Sequence, residues 1–411
     1  MAANFNVIII GAGLAGLAIA QGLKKNGIPF VIFEKEVTPR DRNWGVTISW
    51  AVPYLQECLS PELFDRLKEC QPDPGLDCKA RGQESVLIRN GATGERLVES
   101  TFPGIRRLQI KKTRKIWGEN INVQFGKVIT GIDTPAGGGV TAHFTDGTSV
   151  SGSVLIGTDG GSSWARGALF GEEAQPWELG YHFVNFPFQL QAEQARWLDE
   201  RIHPIVDVGC HPNKPMYSGI FILDKPELDN PETWVFYVLS TWPKSEGSYR
   251  KDEDLLAEYR RHMQGWGDPY KQVADWIPPG TKVRAVEGGL KVFAPRTKWD
   301  NRDGRFTIGG DAAHSMTGGN NALRDANQFV SAMIDVNAGG KTLREAVDAY
   351  DAEMLQRGAS EVEMSSKQTH AFHNYQAFLE SPIMKHGIKP TAASVDGSST
   401  GALDSGNTSG S

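Results

Sequence analysis

Little in this chain points to metal, nucleic-acid or membrane chemistry. Its four cysteines, Cys58, Cys70, Cys78 and Cys210, form no CxxC pair and no Cys/His set with metal-ligand spacing. Neither a zinc site nor a disulfide framework is expected, and the thiols read as reduced, in a cytoplasmic protein. No basic block offsets the net charge of −6, which argues against nucleic acid as the main partner. No apolar run approaches the roughly 20 residues of a membrane helix. The first apolar run has no basic segment before it and is interrupted by glycines, so neither a transmembrane segment nor a signal peptide is expected. Internal repeats are absent. Residues 391–411, rich in Ser, Gly, Thr and Ala, lack apolar content for a core and predict a disordered tail.

What the chain does contain is concentrated first at residues 6–35, where Val7 to Ile10 form a β-prone apolar run that breaks at Gly11. Gly11, Gly13 and Gly16 follow in the GxGxxG register, with Ala12 inside the turn. Each glycine has its own reason: a tight turn after the strand, close backbone approach to a pyrophosphate, and close packing of helix on sheet. The next segment predicts a helix over Leu14–Lys25, whose N-terminal N–H groups and dipole favour phosphate, ended by Asn26-Gly27. A second strand, Phe30–Phe33, leads to Glu34 and Lys35. An acid about 20 residues past the glycines accepts from a ribose 2′-hydroxyl. A glycine triplet alone falls in many loops; strand, triplet, helix, strand and acid together predict a dinucleotide-binding βαβ unit.

Downstream, residues 40–50 read as a loop carrying Arg42 and Gly45 into a short extended segment. Residues 85–89 and 96–102 alternate around Asn90-Gly91, the pattern of a hairpin. The run 106–117 holds Arg106, Arg107, Lys111, Lys112, Arg114 and Lys115 and reads as a mostly solvated helical face. β-rich stretches at 122–132 and 140–156 lead into Gly157-Thr158-Asp159-Gly160. From 177 to 286 aromatic side chains become frequent, strands at 183–190, 216–223 and 234–242 look antiparallel, and a charged helix is expected over 252–266. This composition predicts a second unit with a sheet floor. At 304–310 the strand-and-glycine pattern of the first unit returns, and Asp311-Ala312-Ala313-His314 opens a turn before a helix over 320–337 and a further helical stretch over 343–378.

Three separated signatures now stand in order: GAGLAG with Glu34, GTDGGSSWAR over 157–166, and GGDAAH over 309–314 followed by GGNNALRDA over 318–326. In that order the chain resembles the single-component FAD-dependent aromatic hydroxylases, the family typified by para-hydroxybenzoate and salicylate hydroxylases, over residues 5–380. The resemblance implies an α/β fold with a Rossmann-type FAD-binding domain at 1–75, 103–176 and 287–340. Interleaved with it would be a mixed or antiparallel-sheet substrate domain at 76–102 and 177–286, with C-terminal helices over 341–390. It also implies roles. Gly11, Ala12, Gly13 and Gly16 would hold the FAD pyrophosphate, and Glu34 and Lys35 the adenosine ribose. Arg42 and Gly45 would form a flavin-contacting loop, and Asp159 and Gly160, with Arg166 beyond, a motif serving FAD and the nicotinamide cofactor. Gly310, Asp311 and Ala312 would meet the ribityl chain and pyrophosphate. Gly319, Asn320 and Asn321 would open the helix near the flavin ring, where backbone N–H groups favour negative charge. Arg107 and Lys111 both approximate the arginine that relatives place beside the ribityl region. His314 receives no acid/base role.

The activity so implied is monooxygenation. NAD(P)H reduces FAD, O2 forms a flavin C4a-hydroperoxide, and a small aromatic or polyketide-like substrate is hydroxylated or epoxidised, in secondary metabolism. A phenol needs deprotonation or a strong hydrogen bond at its hydroxyl. Tyr217 and Tyr237 on the expected strands are the candidates, with His182 at the head of another. A halogenase is not expected, since only Trp276-Ile277-Pro278 touches the WxWxIP pattern. One departure motivates a second reading. Relatives carry a longer, proline-bearing loop between the equivalents of Thr317 and Gly318, beside the flavin face where oxygen reacts. Losing two or three backbone hydrogen bonds there, at about 0.5–1.5 kcal/mol each, lowers FAD affinity about tenfold to a thousandfold, and a less closed wall protects reactive oxygen less well. The alternative is a flavoprotein fold that has lost oxygenase activity and serves as a binding or cyclisation scaffold.

Overall fold

A computed structural model describes residues 5–38, 43–246 and 254–386; Arg42 and the tail expected at 391–411 lie outside the described residues. Five parallel strands form the first sheet, in the order Phe306–Ile308, Val154–Gly157, Val7–Ile10, Phe30–Phe33, Val123–Gln124. The central strands are almost wholly Val, Ile and Leu because both faces are covered. Val7, Ile9, Ile32 and Ile156 enter one core with helices Leu14–Lys25 and Gly318–Asn337. Their alternates Ile8, Ile10, Phe33 and Leu155 enter another, with the antiparallel strands Ile129–Asp133, Val140–Phe144 and Ser149–Gly152. Gly22 lets the first helix approach the late one, since a Cβ there would stand 2.8 Å from Val330. Residues far apart in the chain thus meet at the carboxyl ends of the parallel strands, where ligands of such sheets bind.

The second sheet has seven strands, ordered Arg284–Ala285, Tyr181–Gln189, Val235–Pro243, Tyr217–Asp224, Asp207–Cys210, Ser85–Asn90, Arg96–Thr101. All its pairings are antiparallel except Asp207–Cys210 with Ser85–Asn90. The expected hairpin and the three antiparallel strands are therefore present, in one sheet. One face, with Val184, Phe186, Ile220, Ile222, Phe236 and Val238, packs on helices Leu255–Met263 and Tyr270–Trp276. The opposite face carries Phe221, Tyr237 and Tyr217 and is covered by Trp44 and by Phe372, Tyr375 and Phe378 near the C-terminal end of the described chain.

Several expected elements change. The run 106–117 is not one helix: Arg106–Gln109 is a strand antiparallel to Gly45–Ile48, and the helix Ile110–Trp117 begins only after it. This strand is buried on both faces from Arg107 to Gln109, so the solvated reading fails at Arg107, which is 5% exposed. The helix expected at 252–266 spans Leu255–Met263, capped by Asp254, whose carboxylate accepts from the Leu256 N–H at 3.0 Å. The helix expected from 320 begins at Gly318. The stretch 343–378 breaks after Leu343–Phe372, where His373 donates from Nδ1 to the Thr369 carbonyl (2.7 Å) and accepts at Nε2 from Thr241 Oγ1 (2.8 Å). Asn374 then caps the short helix Tyr375–Leu379 through the Ala377 N–H. Among the described residues no helix is long and apolar enough to cross a membrane, and no His/Cys/Asp/Glu group could hold a metal ion.

Candidate active site

The first glycine turn is shaped by two contacts and one opening. Gly11 has φ +106°, and a Cβ there would lie 2.5 Å from the Thr158 carbonyl oxygen; at Gly16 it would lie 2.0 Å from the Gly11 carbonyl oxygen. Thr158 Oγ1 fastens the turn to the neighbouring strand, within 3.1 Å of the Ile10 and 3.0 Å of the Gly11 carbonyl oxygens. At Gly13 a Cβ would meet nothing within 4 Å, so this position faces open space. Glu34, at the end of the second strand, accepts from the Ala12 N–H at 2.9 Å and the Glu36 N–H at 3.2 Å, while Lys35 is exposed. Ala12 and Glu34 line a cavity of about 710 Å³, floored by Leu17 and Val123 and walled by Lys111, Arg114 and Lys115.

The second turn is held by its own acid. Asp159 accepts from Ser163 Oγ and from the N–H groups of Trp164 (2.7 Å) and Ala165 (3.2 Å), so its carboxylate caps the helix Trp164–Phe170. Gly160 beside it has φ +83° and open space where a Cβ would be. Arg166 is buried, donates to the carbonyls of Gly161 (2.6 Å) and Ala174 (2.9 Å), lies over Phe293, and is pushed below its ordinary pKa by burial. In the third turn Gly310 packs against the first helix, where a Cβ would stand 3.2 Å from that of Ala15. Ala312 is buried. Asp311 is exposed, and its carboxylate takes no hydrogen bond from the described residues.

Beneath this turn lies a buried polar network. Asp325 accepts from the Gly310 N–H (2.6 Å), His314 Nε2 (2.7 Å) and Arg357 (2.5 Å), and Arg357 also donates to Asn321 Oδ1 at 2.7 Å. Burial alone would raise the Asp325 carboxyl, but His314 and Arg357 hold it below its ordinary value. The Asn321 side chain is thus built into the packing of two helices and is 1% exposed. Asn320 Oδ1 accepts from the N–H groups of Ser49 (2.7 Å) and Ala51 (3.3 Å), and a Cβ on Gly319 would stand 2.6 Å from Val46. At these positions only backbone is left to face a cofactor. Sequence reasoning does not single out Asp325 or Arg357; the spacing of Glu353, Arg357 and Glu361 on one helix face is the available signal.

Arg107 and Lys111, two approximations to one position, serve different places. Lys111 lines the cavity beside Glu34. Arg107 lies with its guanidinium 4.1 Å from the Phe221 ring centroid, donates to Thr47 Oγ1 at 3.3 Å, and keeps a buried Nε without a partner. Burial pushes it down to about 10. Gly45 lies close beside it, where a Cβ would stand 2.6 Å from the guanidinium and would displace it. Tyr237 is buried and donates to Asn185 Oδ1 at 2.8 Å. Tyr217, on the same sheet face, is partly buried, packs on Phe372, and has its phenol raised by burial. His182 alternates with Val184 and Phe186 and meets Trp242 on the opposite face, which separates it from both tyrosines.

Glycine turns at the carboxyl ends of parallel strands, with an acid closing the second strand, define a dinucleotide-binding fold. Comparison makes the class specific. The NAD(P)-binding Rossmann-like domain family matches residues 9–70. FAD-dependent monooxygenase phnB of Penicillium herquei is 30% identical over 399 residues, covering 94% of this chain and 95% of that protein. FAD-dependent monooxygenase dbaB of Emericella nidulans is 33% identical over 331 residues, 76% of this chain and 81% of that protein. Among solved structures, Klebsiella pneumoniae HpxO complexed with FAD and uric acid has a TM-score of 0.71 at 21% identity, covering 92% of this chain and 91% of that one. The chain belongs to the FAD-dependent monooxygenases. It is an enzyme of that class with FAD as cofactor, and the resemblance to aromatic hydroxylases holds. The names of these relatives give the scaffold reading no support. The residues present fit the cofactor: Gly13 and Gly160 face open space, and Asp311 offers an exposed carboxylate.

Proposed function

We propose that this enzyme uses NAD(P)H and O2 to place one oxygen atom on a small aromatic or polyketide-derived substrate, by hydroxylation or epoxidation. The observation that carries the reading is the open space at Gly13 and at Gly160, with the exposed Asp311 on a third turn that packs on the first helix through Gly310 and Ala15. A separate sheet face carries Phe221, Tyr217 and Tyr237. Gly13, at the start of a 12-residue helix, would offer open space and the helix N-terminus to the pyrophosphate, while Gly11, Ala12 and Gly16 shape the turn, the Gly11 N–H donating to the Phe33 carbonyl (2.8 Å) and the Ala12 N–H to Glu34 (2.9 Å). Glu34 would accept from the adenosine ribose, with Lys35 at the rim. Gly160, Gly310, Asp311 and Ala312 would hold the ribityl portion, with Asp311 accepting from its hydroxyls. The helix Gly318–Asn337 has no side-chain cap, so the N–H groups of its first turn, at Gly319, Asn320 and Asn321, would favour negative charge on the flavin ring. Bound FAD supplies the reduction by NAD(P)H, the activation of O2 and the transfer of one oxygen atom.

The chain's own part is to bind, orient and exclude water. Tyr217 is the candidate for a hydrogen bond to a substrate hydroxyl, because Tyr237 already donates to Asn185. Phe372, Tyr375 and Phe378 close the aromatic face from the C-terminal side, which limits water at the reacting atoms. The purified protein should be yellow, or become so with added FAD, and candidate phenols should accelerate NADPH oxidation and yield a product heavier by one oxygen. A colourless protein that FAD cannot reconstitute sinks this reading.

A further inference from the structure

Residues 374–385 are held against the second sheet almost wholly by apolar contact. The long helix Leu343–Phe372 stops at His373, which is fixed to that sheet through Thr241 Oγ1 at 2.8 Å. Asn374 follows in an extended conformation, with φ −133° and ψ 96°. Two five-residue helices come after it, Tyr375–Leu379 and Pro382–His386. This strap is tied to itself: the Phe378 N–H donates to the Asn374 carbonyl (2.8 Å), the Ser381 N–H to Phe378 (3.0 Å) and the Lys385 N–H to Ser381 (3.2 Å). Among the described residues one hydrogen bond joins it to the sheet, from Asn90 Nδ2 to the Tyr375 hydroxyl at 3.1 Å. Phe378 and Ile383 are buried on a cluster that holds Val208, Cys210, Phe221 and Tyr237. The face beneath is not finished as a core is, since Tyr217, partly buried beside Phe372, has a hydroxyl that takes no hydrogen bond from the described residues.

We infer that residues 374–385 form a lid that lifts from the aromatic sheet face by rotation at His373 and Asn374, and that a flat aromatic substrate enters beneath it. For the substrate, the inference rests on the monooxygenase reading above. A hinge needs a fixed point beside a residue that can absorb a change of φ and ψ. Thr241 fixes His373, and Asn374 already stands outside the helical ladder. Lifting breaks one hydrogen bond, while the bonds within the strap stay with it. Helices of five residues are not stable without a surface to pack on, so the open state is brief and the closed state is the populated one. Closure returns Phe378 and Ile383 to the face and excludes water from it.

Cys210 reports the opening from inside the protein. Its thiol belongs to the cluster that Phe378 covers, and burial pushes it up to about 12, as it does Cys58 and Cys70 in the first core. Maleimides react with the thiolate, so each of the three waits for its cover to open. The test treats the FAD-loaded protein with N-ethylmaleimide and follows each cysteine by mass spectrometry. Cys210 should be labelled at least about a hundredfold faster than Cys58 and Cys70. Its rate should change little in low urea, because lifting the lid exposes little surface, while theirs rise steeply. Tyr375→Phe, which removes the bond to Asn90, should speed Cys210 labelling about two- to tenfold. 2-Naphthol, the aromatic probe, should slow it about tenfold at about ten times its Kd. Equal labelling of the three cysteines, or one urea dependence for all, overturns the lid, because the strap would then leave only when the whole fold does. So does a Tyr375→Phe variant with an unchanged Cys210 rate, or naphthol that binds by calorimetry without slowing Cys210. If naphthol does not bind, the reading of this face as the substrate site fails, and the labelling ratio with its urea dependence still decides whether the lid opens.

Discussion

At the scale of single residues the three glycines of the first turn do different work, and substitution separates them. Gly16 has no room: a Cβ 2.0 Å from the Gly11 carbonyl oxygen forces the turn apart. Gly16→Ala should destabilise the FAD-free protein by about 1–3 kcal/mol or more, the range for overpacking, as measured by urea unfolding. Gly13 has φ −83° and open space around its Cβ position, so Gly13→Ala should leave FAD-free stability within about 0.5 kcal/mol. Its effect should fall on the ligand, with FAD affinity at least about tenfold lower by fluorescence titration. Unchanged affinity in Gly13→Ala would place the pyrophosphate elsewhere. This division is half legible in the sequence. The register names all three glycines, because a dinucleotide turn requires them. Which one confronts protein and which confronts ligand depends on Thr158, brought alongside by a strand far away in the chain. The same limit applies to Asp159: its motif draws attention to it, but only the fold shows both carboxylate oxygens committed to a helix cap.

At the scale of elements, two helices are clamped beneath the third turn by charge rather than by apolar packing alone. Arg357 of Leu343–Phe372 reaches Asp325 of Gly318–Asn337, which holds the Gly310 N–H. Arg357→Leu should cost about 3–5 kcal/mol, because it strands a buried carboxylate. Adding Asp325→Asn should restore part of that loss; strictly additive losses in a double-mutant cycle would show that the two side chains do not act as a pair. The end of the long helix carries a pH signature. His373 is buried, and desolvation pushes it down to about 4 from an ordinary 6.5. Between those values the unfolded chain binds the proton and the folded one does not. The contribution is therefore fully present above pH 6.5 and lost as pH falls, reaching on the order of 3 kcal/mol by pH 4. His373→Asn should flatten the stability-versus-pH slope in that window by up to about 1.4 kcal/mol per unit; an unchanged slope would show that the imidazole is protonated in the folded state. The break at His373 is not readable from the sequence. Helical periodicity continues to 378, and what interrupts it is Thr241, on a strand of the second sheet. Likewise the basic run 106–117 reads as one solvated helix because charge dominates its composition, while the pairing of Arg106–Gln109 with Gly45–Ile48 decides that Arg107 goes inside.

At the scale of the whole molecule, an acidic protein with net charge −6 must hold an anionic cofactor. Basic side chains are gathered at one cavity: Lys111, Lys112, Arg114 and Lys115 line it with the acids Glu34, Glu36 and Asp224, so basic groups outnumber acidic ones there by one although the molecule as a whole is negative. This arrangement has a measurable consequence, because the cationic wall faces a solvent-connected cavity and acts through water and ions. The screening length is about 10 Å at 0.1 M salt and about 3 Å at 1 M. FAD affinity should therefore fall several-fold across that range, while the hydrogen bonds of the glycine turn, made at contact, hold the remainder. The double variant Lys111→Gln/Lys115→Gln should start from a weaker affinity and show a flatter salt dependence than wild type. If the variant keeps the wild-type slope, the salt effect arises elsewhere on the surface, and the basic helix face does not contribute to cofactor capture. If wild type shows no slope, the attraction is carried by direct contacts alone, and Gly13→Ala should then remove nearly all of it.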